Sequence, residues 1–154
     1  PYTHFWILIM VHPKITFFNQ SSDESSSINQ TLISMISERY SQRKRVLIFC
    51  ADEKQMLDLD EKLWQLAPDR FLAHSLLTEP ASDKAPIVLT TTEPKDFQRF
   101  SCWFNLDFTA RIPLPKTQQI IEFVPLQEEF KQAARDRYKA YCQAGVKPLF
   151  KKTT

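Results

Sequence analysis

One glycine, Gly145, stands among 154 residues, and that scarcity excludes more than any motif the chain carries. Cradling a phosphate on a backbone turn needs glycines just after the first strands, because side chains block the approach. Ile15-Thr-Phe-Phe18 is followed by Asn-Gln-Ser-Ser, and Val46-Leu-Ile-Phe-Cys50 by Ala-Asp-Glu-Lys. No GxGxxG or GxxxxGK pattern occurs, so nucleotide binding by these turns is excluded. Cysteines are also scarce: Cys50, Cys102 and Cys142 form no CxxC pair. An odd count without ligand spacing implies packed thiols in a reduced, cytoplasmic protein, and no metal site. A net charge of only +2 gives no whole-molecule field for wrapping nucleic acid, so charged recognition must come from a local patch. The apolar run Phe5-Trp-Ile-Leu-Ile-Met-Val11 is too short to span a bilayer and lacks the basic flank of a signal peptide. Met10-Val-His-Pro-Lys-Ile15 reads as a natural start, so residues 1–9 are set aside.

The chemistry of catalysis is absent too. There is no GxSxG elbow and no HExxH. His4 and His12 fall in the N-terminal stretch, and His74 stands alone in a strand pattern. Asp58, Asp60 and Glu61 interleave with Lys54 and Lys62, the signature of a solvated helix face. Cys50, between a strand and a helix N-terminus, is the best nucleophile candidate. It has no accompanying base, and a packed thiol is the better reading. Neither an enzyme nor a cofactor site emerges.

What is present is a regular alternation of elements. Ile28, Leu32, Ile36 and Tyr40 recur every four residues, and Ser27 with Gln30 has the spacing of a capping box opening that helix. Val46–Cys50 is a continuous apolar run, as expected of a central strand covered on both faces. Asp52 and Gln55 repeat the capping-box spacing, and Met56, Leu59, Leu63 and Trp64 mark a second amphipathic helix ending before Pro68. Strands are expected at 70–76, 87–91, 100–107 and 119–124, and a last helix over about 127–142, stopping near Gly145. The segments 21–27 and 78–86 read as loops. This order predicts an α/β fold: a single Rossmann-like three-layer domain with helices on both faces of a mixed, largely parallel sheet. The domain spans 14–146, between an N-terminal extension (1–13) and a C-terminal tail (147–154).

On the last helix Lys131, Arg135 and Lys139 recur at i, i+4 and i+8 and form one ridge, flanked by Tyr138. Glu128 and Glu129 precede them, which suits the helix dipole. On spacing alone such a ridge is more often a solvated face. The wording of several segments changes that weighting. Lys44-Arg-Val-Leu-Ile48, Asp52-Glu-Lys-Gln55, Leu59-Asp-Glu-Lys-Leu-Trp64, Phe123-Val-Pro125 and Lys131-Gln-Ala-Ala-Arg-Asp-Arg-Tyr-Lys-Ala-Tyr141 resemble the chi subunit of bacterial DNA polymerase III. The likeness runs in matching order over 14–145, close in 44–76 and 119–145 and loose over 78–118.

The resemblance implies a non-catalytic accessory subunit of the clamp-loader complex, acting in DNA replication. It implies two partners: the psi subunit, and the acidic C-terminal tail of the single-stranded-DNA-binding protein, which ends in proline-phenylalanine. The family's tail-binding positions correspond to Val124, Lys131, Arg135, Tyr138 and Lys139. Those residues suit a ligand whose terminal ring needs an apolar pocket and whose α-carboxylate needs a cation. Micromolar affinity is expected, because a flexible peptide loses entropy on binding and has few anchors. Trp64 and Phe71 match positions used for psi, and equally fit ordinary core residues. The 78–86 loop lacks glycine where relatives can be rich in it, and Cys142 and the tail also diverge, so no role is transferred to them. The alternatives are a partner subunit of a repair helicase, a degenerate nucleotide-binding enzyme, and direct DNA binding through Arg43-Lys-Arg45 and the basic helix. Near-neutral charge and interleaved acids argue against the last, leaving nucleic acid as an indirect partner. No membrane association is expected.

Overall fold

The structure is a computed structural model that describes residues 13–19, 25–96, 99–111 and 117–152. The expectations for residues 1–12, His4 and His12 included, lie outside the described residues. The central sheet contains seven strands: β1 (Lys14–Asn19), β2 (Val46–Phe49), β3 (His74–Leu76), β4 (Ile87–Thr90), β5 (Cys102–Asn105), β6 (Gln119–Val124) and β7 (Leu149–Lys152). Their spatial order is β3-β4-β2-β5-β6-β1-β7. Every pairing in the sheet is parallel, which corrects the expected mixed sheet. The spacing between 70 and 107 looked hairpin-like. Instead, the residues between β3 and β4 carry a 3-10 turn (Pro80–Asp83) and make the crossover a parallel pair requires.

Helices α1 (Ser25–Ser41), α2 (Glu53–Trp64) and α3 (Glu128–Gln143), with a second 3-10 turn at Pro68–Arg70, complete the described elements. The α1 helix begins two residues before Ser27, so that serine lies inside the first turn and not at the cap. Ile28 belongs to a segment whose side chains lie outside the described residues. Asp52 does cap α2: its Oδ1 accepts from the Gln55 N–H at 2.8 Å, and Gln55 Oε1 accepts from the Ala51 N–H at 2.7 Å. The first bond satisfies an amide that a helix start otherwise leaves unpaired, and the second ties down the residue just ahead of the cap.

The strand period of two sorts β2 onto both faces. Val46 and Ile48 pack with Leu32, Ile33 and Ile36 of α1 and Leu59 and Leu63 of α2. Leu47 and Phe49 pack instead with Ile15, Phe17, Trp103 and Tyr141, the last from α3. All four residues of β2 are buried, as a strand covered on both faces must be. Cys50, just beyond it, is 1% exposed, and burial followed by nearby Asp52 and Asp107 pushes its thiol up to about 12. That thiol is packed and protonated, the opposite of an activated nucleophile.

Two helix ends show how the chain manages with one glycine. Gly145 follows α3 at φ 95, and the Val146 N–H reaches back to the Tyr141 carbonyl at 3.1 Å, a left-handed cap that glycine adopts without penalty. The α1 end has the same geometry: the Lys44 N–H reaches the Arg39 carbonyl at 3.1 Å. There the left-handed residue is Arg43, at φ 59, and a side chain in that conformation costs about 1–2 kcal/mol.

Candidate functional site

The α3 helix is positioned by a buried polar cluster. Glu122 of β6 is fully buried and accepts from Arg137 Nε at 3.0 Å, from the Tyr141 hydroxyl at 2.6 Å and from Asn105 Nδ2 at 2.7 Å. Arg137 Nη2 also donates to the Phe123 carbonyl at 3.2 Å. Arg137 and Tyr141 are four residues apart and share the face of α3 that meets the sheet. Each residue advances about 100° around a helix, so Tyr138 falls at the margin of that face. Lys131, Arg135 and Lys139 turn progressively away from it.

Between that margin and the sheet edge lies a groove of about 440 Å³ lined by Phe17, Asn19, Val124, Lys131, Ala134, Arg135, Tyr138, Lys139 and Phe150. Every residue that the sequence matched to tail binding lies in it. Its apolar wall is aromatic: Tyr138 approaches Phe17 at 6.2 Å edge-on and Phe150 at 5.4 Å, and Phe17 lies 5.4 Å from Phe150. Burial, with a hydrogen bond to Cys142, raises the Tyr138 hydroxyl above its ordinary value, so it stays protonated. The cations form the other wall. Lys131 bonds Glu128 at 2.9 Å, which holds that carboxylate below its ordinary value, and Arg135 makes a long contact to Gln132 at 3.4 Å. Both partners are exposed, and exposed contacts of this kind are screened by solvent and hold a cation only weakly. An incoming carboxylate can therefore take these cations over at little cost.

Phe150 is the residue that sequence reasoning missed. It belongs to β7, which pairs with β1 in the register Phe17↔Phe150, whereas 147–154 had read as a tail. Phe17 was also missed, having been read only as part of a strand.

Trp64 and Phe71 meet elsewhere. Their rings lie 6.1 Å apart and are 60% and 48% exposed, so the core reading fails for both. Trp64 leaves the buried stripe of α2, where Leu59 and Leu63 remain. It packs instead on His74 at 4.9 Å, whose Nε2 pairs with Asp60 at 2.9 Å. Trp64 and Phe71 thus form an exposed aromatic patch beside β3. That strand is one end of the sheet and β7 the other. Six inter-strand spacings of about 4.8 Å put the two edges roughly 29 Å apart.

The sequence profile of the DNA polymerase III chi subunit matches residues 12–148. The chain belongs to the DNA polymerase III chi subunit family. It is 34% identical over 123 residues to the DNA polymerase III subunit chi of Escherichia coli K12, covering 80% of this chain and 84% of that one. The subunit chi of Haemophilus influenzae is 38% identical over 96 residues, covering 62% and 67% of the two chains. That of Pseudomonas aeruginosa is 30% identical over 132 residues, covering 86% and 91%. Among the described residues of this chi-family chain no group of His, Cys, Asp and Glu is placed to hold a metal, and no helix is long and apolar enough to cross a membrane.

Proposed function

We propose that this chi-family chain is a non-catalytic accessory subunit of the cytoplasmic replication machinery that bridges two proteins. The groove beside α3 takes the acidic, phenylalanine-ended tail of the single-stranded-DNA-binding protein, and the Trp64–Phe71 patch takes the psi subunit of the clamp loader. The observation that carries the reading is the groove itself: one aromatic wall, one cationic wall, and room for a ring with its attached carboxylate. The terminal ring enters against Phe17, Tyr138 and Phe150. Its α-carboxylate takes a charge-assisted bond from Arg135 or Lys139, and upstream acids of the tail meet Lys131 and the remaining cation. The opposite-edge placement of the aromatic patch leaves both partners room to bind at once.

Isothermal titration with a tail peptide tests the groove. The intact peptide is expected to bind at micromolar Kd, weakening as salt screens the exposed charges, and a peptide lacking its final phenylalanine should bind at least about tenfold more weakly. Equal affinities for the two peptides would remove the groove from consideration. For the other edge, Phe71→Ser is expected to abolish co-purification with psi while leaving the thermal midpoint within a few degrees, as a half-exposed side chain should. Collapse of the midpoint would instead return Phe71 to a structural role.

A further inference from the structure

From β4 to β1 the amino ends of the parallel strands form a second surface, away from the tail groove; the Trp64–Phe71 patch lies beyond its β4 end, at the start of β3. All seven strands begin on the same side of the molecule, and the cations just ahead of them gather there. Lys14 opens β1 and is exposed, Arg43 and Lys44 precede β2, and Lys84, also exposed, precedes β4. Arg39, at the end of α1, donates to Gln119 at the start of β6 at 3.2 Å. Among the described acids on this side, Glu38 pairs with Arg39, Asp96 with Arg99 and Asp60 with His74, while Asp83 and Asp69 lie nearby. Acids that interleave with these bases in the sequence, such as Asp52 and Glu53, lie at the carboxyl ends of the strands.

Structural demands do not account for this gathering. Arg45 and Arg99 do have a local role: both hold the Asp83 carbonyl, at 3.2 and 3.0 Å, and both lie over the Phe100 ring, at 4.9 and 5.8 Å. Placing two guanidiniums on one ring is electrostatically unfavourable, and burial, followed by the neighbouring Arg99, lowers the Arg45 pKa. Arg43 is more telling. It occupies the left-handed cap of α1 at φ 59, the place that glycine fills after α3. The fold would be better served by glycine at this position, and the chain instead projects a third cation beside Lys44 and Arg45.

We infer that this basic rim binds the phosphate backbone of a nucleic acid, independently of sequence. From β4 to β1 the rim crosses four inter-strand spacings, roughly 19 Å, enough to meet several consecutive phosphates. Phe100, the ring beneath Arg45 and Arg99, is fully buried and offers no face for base stacking, so the cations serve as phosphate contacts. The inference stands apart from the tail groove, which lies at the carboxyl ends of β1 and β6.

The test is fluorescence anisotropy of a labelled oligothymidylate with the full chain, titrated at several salt concentrations. The variant R43G/K44S/K84S removes three rim cations, Arg43 and Lys84 exposed and Lys44 partly so, and leaves the clamping pair Arg45 and Arg99 in place. It should bind at least about tenfold more weakly at low salt, and flatten the slope of log K against log salt by about 2. The single variant R43G should weaken binding while holding or raising the thermal midpoint, a combination that a structural role for Arg43 does not produce. K54S/K62S, which removes cations from α2, should bind as wild type does. A duplex bound as well as the single strand would assign the rim to phosphates of either form. The inference is overturned if the wild-type chain fails to bind at low salt, if the triple variant binds equally well, or if poly-glutamate displaces the oligonucleotide at equal charge concentration.

Discussion

Above pH 7, where Glu122 is ionised, replacing Arg137 with methionine is expected to destabilise the fold by about 3–5 kcal/mol, the usual cost of leaving one member of a buried ion pair without the other. Glu122 is fully buried, and its Oε1 accepts from Arg137 Nε at 3.0 Å. Removing the guanidinium strands that carboxylate under α3 and also frees the Phe123 carbonyl. The double variant E122L/R137M replaces both charges with apolar groups and should recover most of the loss, because desolvation is removed along with attraction. Urea unfolding of the two variants measures the difference. The pair also predicts the direction of the pH dependence. Burial pushes Glu122 up from 4.5 to about 7, against the opposing pull of Arg137, Tyr141 and Asn105. The native state then holds a proton that the unfolded chain has released, so this group's stabilising contribution is complete below pH 4.5 and is lost as pH rises through about 7. Glu122→Gln should flatten the stability profile over that window. An unchanged profile would mean that the three donors keep Glu122 ionised throughout.

The parts of this molecule that were legible in the sequence are those governed by local rules. The expected strand at 119–124 matches β6 (Gln119–Val124), and α3 (Glu128–Gln143) lies within a residue of its expected span. Asp52 caps α2 as its spacing to Gln55 required. What local rules could not supply was pairing. Strand direction depends on the crossover between β3 and β4, and a 3-10 turn carries no hydrophobic period to read. Leu149–Lys152 is exposed at every position, so β7 shows no alternation and joins the sheet only because β1 offers an edge. Trp64 fits the helical stripe of α2 by spacing, and only the position of β3 shows that it faces out. The ridge of Lys131, Arg135 and Lys139 was visible in the sequence, whereas the aromatic wall opposite it required Phe17 and Phe150 to become neighbours across two paired strands.

That late-found wall supports the largest expected effect on binding. Phe150→Asp should weaken tail-peptide affinity about 100-fold, or about 2.7 kcal/mol. Two changes act together. The ring that lies 5.4 Å from both Phe17 and Tyr138 is lost, which removes roughly 0.5–1.5 kcal/mol of aromatic contact beyond buried area. A carboxylate then stands in the groove that must accept an acidic peptide, where like charges are strongly opposed. Phe150→Leu keeps the apolar wall without the ring and should fall between the two, at a few-fold. Because Phe150 is 55% exposed on an edge strand, neither change should alter the unfolding free energy by more than a surface substitution does, about 0.5 kcal/mol. Phe150 and the basic ridge then give different salt signatures. Arg135→Ala and Lys139→Ala should weaken binding and make it less salt-sensitive, whereas Phe150→Leu should weaken it equally at every salt concentration. Wild-type affinity in Phe150→Asp would place the tail somewhere other than this groove, even if the α3 cations still contributed to binding.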